Sequence, residues 1–322
     1  MSGAGDVNND GFDDLIVSAA NSGLVNVYSG ANGLILHALT PDPTGSSTVN
    51  SVTGVGDINN DGFADVATGS PGGGFVSVFS GADGSTLFSL DGSSDGDSFG
   101  TSISGGGDVN NDGVGDIIVG ATRRDTGGNN SGSATVFSGV DGTALLSIDG
   151  NVVNDFFGSS VDIAGDVNGD GFDDVIVGGS LGASVFSGFD GSALQTFDAL
   201  FASVSGAGDI NSDGFDDLIV GEFTEGLVTV LSGLDGSTLF SIDEGPNAGN
   251  FGTSVSDVGD INGDGLPDII VGANIANDVN GAATIFITEA ITTVTVPEPS
   301  AALLLLAAGS SLFFRRRREI LV

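Results

Sequence analysis

The sequence contains no cysteine, no tryptophan and no lysine. Without cysteine there is no disulfide and no thiol chemistry, and cysteine usage does not indicate a redox compartment. The six basic residues are all arginines and face 43 acidic residues, so the formal net charge is −37. A chain this acidic is not expected to bind nucleic acid, because the phosphate backbone would be repelled.

Side chains that commonly carry catalysis are also scarce. His37 is the only histidine, and equivalent positions in later repeats hold Phe88, Leu146, Gln195 and Phe240, so we interpret it as structural. No serine is indicated close to it in space, as Ser-His-Asp chemistry would require. Paired carboxylates could act on a polysaccharide, but the aspartates are accounted for by the repeat described next. The sequence therefore does not predict an enzyme.

An acidic loop of nine residues occurs six times, at intervals of about fifty residues. A fixed repeat of this length indicates stacked supersecondary units. Every copy follows the pattern Asp-x-Asn-x-Asp-Gly-x-x-Asp. The copies are 6–14, 57–65, 108–116, 166–174, 209–217 and 260–268.

The chemistry of this loop is that of a calcium site. Calcium takes six to eight oxygen ligands at about 2.3–2.6 Å. Each loop offers side-chain oxygens at positions one, three, five and nine, a glycine for the sharp turn at position six, and a backbone carbonyl at position seven. We predict about six Ca²⁺ ions, one per repeat. The predicted ligands are Asp6, Asn8, Asp10, Phe12 and Asp14; Asp57, Asn59, Asp61, Phe63 and Asp65; Asp108, Asn110, Asp112, Val114 and Asp116; Asp166, Asn168, Asp170, Phe172 and Asp174; Asp209, Asn211, Asp213, Phe215 and Asp217; and Asp260, Asn262, Asp264, Leu266 and Asp268.

Other calcium-binding modules do not fit the pattern. EF-hands and dockerin modules need an acidic ligand at position twelve. That position holds Val17 in the first repeat, Thr68 in the second and valine in the other four. A β-roll would need a glycine-rich period of nine residues, and the sequence has none.

Short apolar runs between the loops predict an all-β fold. A run such as Leu15–Val17 follows each loop, and a second strand typically ends in Val-Phe-Ser-Gly, as in 78–81. An Asp-Gly or Asn-Gly turn leads to a third strand, and a strand with Phe-Gly, as in 99–103, leads into the next loop. Four antiparallel strands per repeat predict β-propeller blades over residues 1–290. Two departures are 200–204, which replaces Phe-Gly, and 285–288, which stands in place of Val-Phe-Ser-Gly in the sixth repeat. For the loop lengths compared below, Thr288 stands for the serine in that repeat.

Taken together, the Phe-Gly strand, the acidic loop and the Val-Phe-Ser-Gly strand resemble FG-GAP repeats. This family builds the β-propeller of integrin α-subunits and of many bacterial surface proteins. The resemblance covers nearly all of residues 1–290 and implies a calcium-binding propeller.

The C-terminus carries a different pattern. After a linker at 291–296, residues 297–322 hold Pro297, Glu298 and Pro299, a short apolar helix at 301–314 and four arginines at 315–318. The apolar run is short for a stable membrane span. This order resembles the PEP-CTERM sorting signal; the alternative is an ordinary tail anchor. The resemblance implies export, transient anchoring in the inner membrane, processing by an exosortase-type enzyme and delivery to the surface or exopolysaccharide of a Gram-negative bacterium.

The first six residues repeat an internal string. Residues 1–6 match 204–209 except that Met1 replaces Val204. We expect that an internal valine codon was read as the start, and that a signal peptide, the Phe-Gly strand of blade one and even a seventh blade precede it.

Loop lengths suggest where a ligand would bind. The distance from the last loop aspartate to the serine of the Val-Phe-Ser strand ranges from 13 residues (174 to 187) to 22 (116 to 138). The acidic loops are constant in length, and alternating strands put them and the Asp-Gly turns on one face. The variable loops lie on the other face, as in many binding surfaces. The longest of them contains Arg123 and Arg124.

The predicted function is that of an exported, non-catalytic, calcium-binding protein of the cell surface or extracellular matrix. It would mediate adhesion by binding an unidentified surface protein or exopolysaccharide. The alternative is an extracellular lectin or polysaccharide-acting enzyme with a pocket on the variable-loop face.

Overall fold

A computed structural model describes residues 1–19, 23–41, 48–92, 96–245, 250–276, 280–288 and 318–319. Within these ranges the regular structure is β-strand throughout. The strands are β1 (Ser2–Gly5), β2 (Asp14–Ala19), β3 (Leu24–Tyr28), β4 (Ile35–Leu39), β5 (Ser51–Gly56), β6 (Asp65–Ser70), β7 (Phe75–Phe79), β8 (Thr86–Asp91), β9 (Phe99–Gly105), β10 (Ile117–Ala121), β11 (Ser133–Phe137), β12 (Ala144–Asp149), β13 (Ser160–Gly165), β14 (Asp174–Gly178), β15 (Gly182–Phe186), β16 (Ala193–Asp198), β17 (Ala202–Gly208), β18 (Asp217–Glu222), β19 (Leu227–Leu231), β20 (Thr238–Asp243), β21 (Phe251–Asp257), β22 (Ile269–Ala276), β23 (Asn280–Phe286) and β24 (Arg318–Glu319).

The described strands form six antiparallel sheets of four strands each, taken consecutively along the chain. Blade one is β1–β4, blade two β5–β8, blade three β9–β12, blade four β13–β16, blade five β17–β20 and blade six β21–β24. The all-β propeller predicted from the repeat is confirmed. The predicted apolar helix at 301–314 lies outside the described residues, and the described ranges contain no helix long and apolar enough to cross a membrane.

Each Phe-Gly strand is the first strand of its blade and precedes that blade's acidic loop. Blade one was expected to lack this strand, and here the expectation is wrong: β1 pairs with β2, with Ser2 opposite Ile16 and Gly3 opposite Leu15. Strand pairing needs only backbone N–H and C=O groups, so four residues without Phe-Gly are sufficient.

Alternation along the second strand of each blade builds the core between blades. Side chains of a strand point to opposite faces in turn, so the first residue after the loop aspartate packs on the preceding blade and the next on the following blade. In the first boundary Ile16 of blade one packs with Val66 of blade two. The other four boundaries join Ala67 with Ile117, Ile118 with Val175, Ile176 with Leu218, and Ile219 with Ile269.

The boundary between blades six and one differs from these five. Leu15 of blade one is 47% exposed, whereas Val66, its equivalent in blade two, is 1% exposed. At the other side of this boundary Ile270 is only half-buried. Among the described residues, no apolar cluster joins blade six to blade one. Full burial of one aliphatic side chain contributes about 1.5–3 kcal/mol, so this boundary is the most weakly packed of the ring.

Candidate calcium loops and the opposite loop face

Each acidic loop connects the first and second strands of its blade, and the carboxylate at position one organises it. In the second loop, Asp57 Oδ1 accepts the Asp61 N–H at 2.9 Å and Oδ2 accepts the Gly62 N–H at 2.8 Å. The Asp61 carboxylate in turn accepts the Phe63 N–H at 3.1 Å. The same three bonds recur in the other five loops. The loops are therefore one local structure repeated six times.

Two positions in each loop adopt the left-handed conformation. The glycine at position six has φ between 87° and 92° in all six copies, as the sharp turn was predicted to require. Position four is also left-handed, for example at Asn9 (φ 55°) and Asn60 (φ 57°). Position four carries asparagine, serine or glycine in every copy. That restriction was the available sequence signal, since asparagine and glycine tolerate this region best.

The aspartate at position nine is fully buried and links the loop to the third strand. Asp65 accepts the Ile58 N–H at 3.0 Å through Oδ2 and the Gly81 N–H at 2.9 Å through Oδ1. Equivalent pairs of bonds occur in the other five blades. A carboxylate has about four lone-pair sites, so these bonds leave room for a cation, but they also give position nine a structural role that the ligand pattern alone does not predict.

Burial changes the acidity of these aspartates. Desolvation raises the pKa of Asp65, Asp116 and Asp217 to about 6, and that of Asp174 to about 7. The hydrogen bonds that these carboxylates accept from backbone N–H groups lower the pKa, but by less than desolvation raises it. A neighbouring cation would favour the charged form, so the loops are electrostatically suited to bind one.

The amide at position three provides the test of whether calcium fits. The Oδ1 atoms of Asn8 and Asn110 are buried and have no hydrogen-bond partner. A buried oxygen without a partner costs free energy, and such atoms need an explanation. Calcium is coordinated by carboxylate and amide oxygens. One amide oxygen beside three carboxylates is therefore a ligand set that fits the ion. In Asn59 and Asn211 the same oxygen instead accepts the N–H of position five, at 2.9 and 2.8 Å.

The predicted ligands of one loop are neighbours but do not form a closed cage. In the described part of the chain, no three acidic or histidine side chains converge as a ready-made metal site. Their oxygens point largely to backbone N–H groups of the loop. Holding calcium would require the carboxylates at positions one and five to share or exchange these bonds with the ion.

The Val-Phe-Ser-Gly strand contributes two residues that the loop pattern does not include. The Ser80 hydroxyl donates to Asp61 Oδ2 at 3.3 Å, and Ser187 donates to Asp170 Oδ2 at 3.5 Å. The following glycine is required because a Cβ at Gly81 would collide with the carbonyl of Ala64. The sequence signal was the unchanged Ser-Gly pair in five repeats.

In blade six the interpretation of Thr288 is corrected. Ile269 pairs with Phe286, which places Ile287 at the serine position and Thr288 at the glycine position. The Thr288 N–H accordingly donates to Asp268 Oδ1 at 2.8 Å, as the glycine does elsewhere. Only the sixth loop therefore lacks the serine hydroxyl.

Contacts across blade boundaries account for several polar residues. Asp173 and Asp216, at position eight, accept the N–H groups of Asp108 and Asp166 in the preceding loops at 2.7 and 3.0 Å. Burial raises the pKa of both. His37 Nε2 lies 2.7 Å from the carbonyl oxygen of Gly81 in blade two. These side chains join blades, which agrees with the structural interpretation of His37.

The first strands of the blades surround a central cavity of about 500 Å³. Four residues before each loop they carry one ring of side chains: Ser2, Thr53, Ser104, Asp162, Ser205 and Ser256. Asp162 is the only carboxylate in this ring. It accepts the hydroxyl of Ser104 on blade three, and the Ser205 hydroxyl on blade five at 2.9 Å. Burial raises its pKa.

The opposite face carries the variable loops, as the antiparallel order requires. The longest of them, 122–132 in blade three, contains an exposed Arg123 and a half-buried Arg124. Arg124 Nε lies 3.7 Å from Asp149 Oδ1. Arg124 also lines a cavity of about 230 Å³ between blades two and three, together with Phe99 and Phe137.

Comparison with known proteins agrees with this architecture. The FG-GAP-like repeat family matches residues 6–68 and 209–271, the FG-GAP repeat family matches 99–137, and the PEP-CTERM protein-sorting motif matches 295–318. Integrin alpha-5 of Xenopus laevis is 28% identical over 195 residues, which is 60% of this chain and 15% of that protein. Integrin alpha-3 of Cricetulus griseus is 33% identical over 145 residues, 36% of this chain and 13% of the integrin.

The fold and its repeats define a six-bladed, integrin-α-like β-propeller. The chain is a protein of FG-GAP repeats that carries a C-terminal PEP-CTERM motif. The motif implies recognition by an exosortase-type system, and with the propeller it indicates an exported protein at the surface or outside the cell. The matched region spans at most 15% of these integrin chains.

Proposed function

We propose that this protein is an exported, calcium-stabilised propeller that mediates adhesion through its variable-loop face and carries out no catalysis. The observation on which the proposal depends is the loop that occurs six times with the same carboxylate geometry. The partnerless amide oxygens of Asn8 and Asn110 add a specific reason to expect a cation.

Calcium would act as a structural element in this function. Each loop joins two strands and is bonded to the third strand through its position-nine aspartate, for example Asp65 to Gly81. An ion bound in the loop would hold these three strands together and neutralise the local charge of three carboxylates. The opposite face would then be presented on a rigid support, which is how loop-borne binding sites are commonly arranged.

Calcium titration of the whole, metal-stripped chain tests the first part of the proposal. Calorimetry should detect about six bound ions per chain, with magnesium as the control because it prefers rigid octahedral sites with several waters. Absence of calcium binding at millimolar concentration would refute the assignment.

Protease accessibility on intact cells tests the second part. The protein should be cleavable from outside the cell, and deleting 297–318 should release or misdirect it while the propeller stays folded. Mature protein that retains residues 313–318 would indicate a permanent tail anchor.

A glycan array separates adhesion through a protein partner from the lectin alternative. Selective sugar binding would favour the lectin, and turnover of a bound polysaccharide would contradict the proposed lack of catalysis. The fold alone does not select a ligand, since one fold hosts many functions.

A further inference from the structure

Five large apolar side chains are exposed close to one another on the variable-loop face around blade four. We call them the blade-four patch: Val152 (43% exposed), Val153 (55%), Leu181 (52%), Leu200 (47%) and Phe201 (49%). Three connections contribute to it, namely the join from blade three to four, the hairpin of β14 and β15, and the join from blade four to five. Exposed apolar patches on a soluble protein commonly mark interaction sites.

Hydrogen bonds fix these three connections to each other. The Leu181 N–H donates to Asp155 Oδ1 at 2.8 Å, and the Phe201 N–H donates to the Ser180 carbonyl at 3.1 Å. The Asn154 N–H donates to the carbonyl of Asn129 in the long loop of blade three at 2.9 Å. The patch is therefore a preorganised surface, which lowers the entropic cost of binding.

The backbone at Phe201 indicates that the aromatic side chain is not there for stability. The residue that precedes the Phe-Gly strand is left-handed at Ser98 (φ 58°) and Asn250 (φ 61°), and also at Phe156 and Phe201 (φ 54° for both). A bulky residue in this region strains the backbone. Burial of the Phe201 side chain offsets little of this strain, although its ring contacts that of Phe223 with the centroids 5.6 Å apart. Strain of this kind is concentrated at functional sites.

The polar and charged groups next to the blade-four patch indicate which class of molecule would bind it. Asn154 Oδ1 and Asp155 Oδ1 already accept hydrogen bonds from within the protein, which reduces the number of polar atoms available to a sugar. Asp155 and Glu222 accept the backbone N–H groups of the patch residues Leu181 and Leu200, and Asp198 lies two residues before Leu200. These carboxylates would repel an acidic partner. A second copy is disfavoured for the same reason, because each chain carries a formal net charge of −37.

The geometry points to the blade-four patch as a docking site for a polypeptide segment with an apolar anchor next to lysine or arginine. Phe201 and Leu181 supply the central apolar contacts, and the surrounding carboxylates pair with the basic residues of the partner. This inference rests on the proposed function of the variable-loop face and specifies the class of partner for it.

The test uses phage-displayed random twelve-residue peptides selected on the whole, calcium-loaded chain. Enriched peptides should combine aromatic or aliphatic residues with lysine or arginine. A synthetic enriched peptide should bind at least tenfold more weakly to Phe201→Asn and Leu181→Ser, and equally well to Phe189→Ser. Phe189 is 65% exposed and lies in the Asp-Gly turn of blade four, on the opposite face, so it is a matched control.

Thermal unfolding separates a lost contact from a lost fold. Because asparagine tolerates the left-handed region, Phe201→Asn should unfold at the same or a higher temperature than the parent chain while it loses the peptide. Unchanged peptide binding by Phe201→Asn and Leu181→Ser would overturn the proposal, and so would enrichment of acidic peptides. Phe201-dependent binding on a glycan array, or a dimer that Phe201→Asn abolishes, would assign the patch to a sugar or a second copy instead. Calcium binding and surface exposure would remain intact in all these cases, so the proposed function is judged separately.

Discussion

On the acidic-loop face, the carboxylate at position one accepts hydrogen bonds from the same two N–H groups in all six blades, and position nine is buried each time. On the variable-loop face, connections of different lengths carry exposed apolar residues, and two phenylalanines occupy a backbone region that suits asparagine or glycine. The same strands support both faces, so the strand framework does not cause the difference. Residues follow the usual backbone and burial preferences on the face that holds each blade together. They depart from those preferences on the variable-loop face, as is expected at functional sites.

Removing calcium should produce the largest effect and would test the constant face as a whole. A ligand that binds only the native state stabilises it by about 2.7 kcal/mol per site at a hundred times its Kd. Six such sites predict a fall in melting temperature of many degrees after chelation, measured by calorimetry. An unchanged melting curve in excess chelator would mean that calcium does not stabilise the acidic-loop face.

Two substitutions in the fifth loop should separate structure from ion binding. Asp217→Ala leaves the buried Gly233 N–H without an acceptor and leaves the Ile210 N–H with the Gly208 carbonyl alone; a buried group without a partner costs about 1–3 kcal/mol. It should destabilise the protein even without calcium. Asp213→Ala, at an exposed position, should leave the metal-free melting temperature nearly unchanged and lower the calcium stoichiometry by one. Equal metal-free losses in the two variants would contradict the separate roles of positions nine and five.

The stabilisation by calcium should depend on pH. The pKa of Asp65, Asp116 and Asp217 is raised to about 6, and that of Asp174 to about 7, above the ordinary value of 3.8. A raised carboxyl pKa stabilises the folded state fully below the unfolded value, and this contribution is lost as the pH rises through the folded pKa. Metal-stripped protein should therefore melt at a lower temperature at pH 7.5 than at pH 4.5. The increment from added calcium should grow over the same range, and a pH-independent increment would argue against these carboxylates.

The smallest effect is expected for the ion pair on the variable-loop face. Arg124 and Asp149 are partly exposed and 3.7 Å apart, and such pairs are typically worth 1 kcal/mol or less. Arg124→Gln should leave the melting temperature within about 2 °C of the parent chain. A large loss would mean that the long loop of blade three is part of the structural framework, and the distinction between the two faces would be weaker than we describe.

The sequence was sufficient for the blades because their signals are local and repeated. The acidic loop, the Asp-Gly turn and the alternating apolar runs each fix a short piece of backbone, and their period fixes the architecture. It could not separate the two roles of aspartate. Asp61 and Asp65 belong to one pattern, but only Asp65 is buried and accepts the Gly81 backbone N–H. It also misplaced Thr288, because the register of β22 and β23 decides which residue takes the glycine position. The blade-four patch is formed by three connections that lie apart in the sequence, so no local sequence pattern predicts it.

Asp162 is expected to help neighbouring blades pair in the correct order during folding. Repeats this similar are at risk of pairing with the wrong neighbour while the chain folds, a known failure of repeat proteins. The carboxylate of Asp162 in blade four accepts hydroxyls from both adjacent blades, through Ser104 and Ser205, and a buried carboxylate is tolerated only where such partners are in place. No other blade offers an acid at this level of the ring. Asp162 thus identifies blade four among its near copies, and we expect Asp162→Ser to fold more slowly and to yield more misassembled chains, even though it would complete a ring of six hydroxyls.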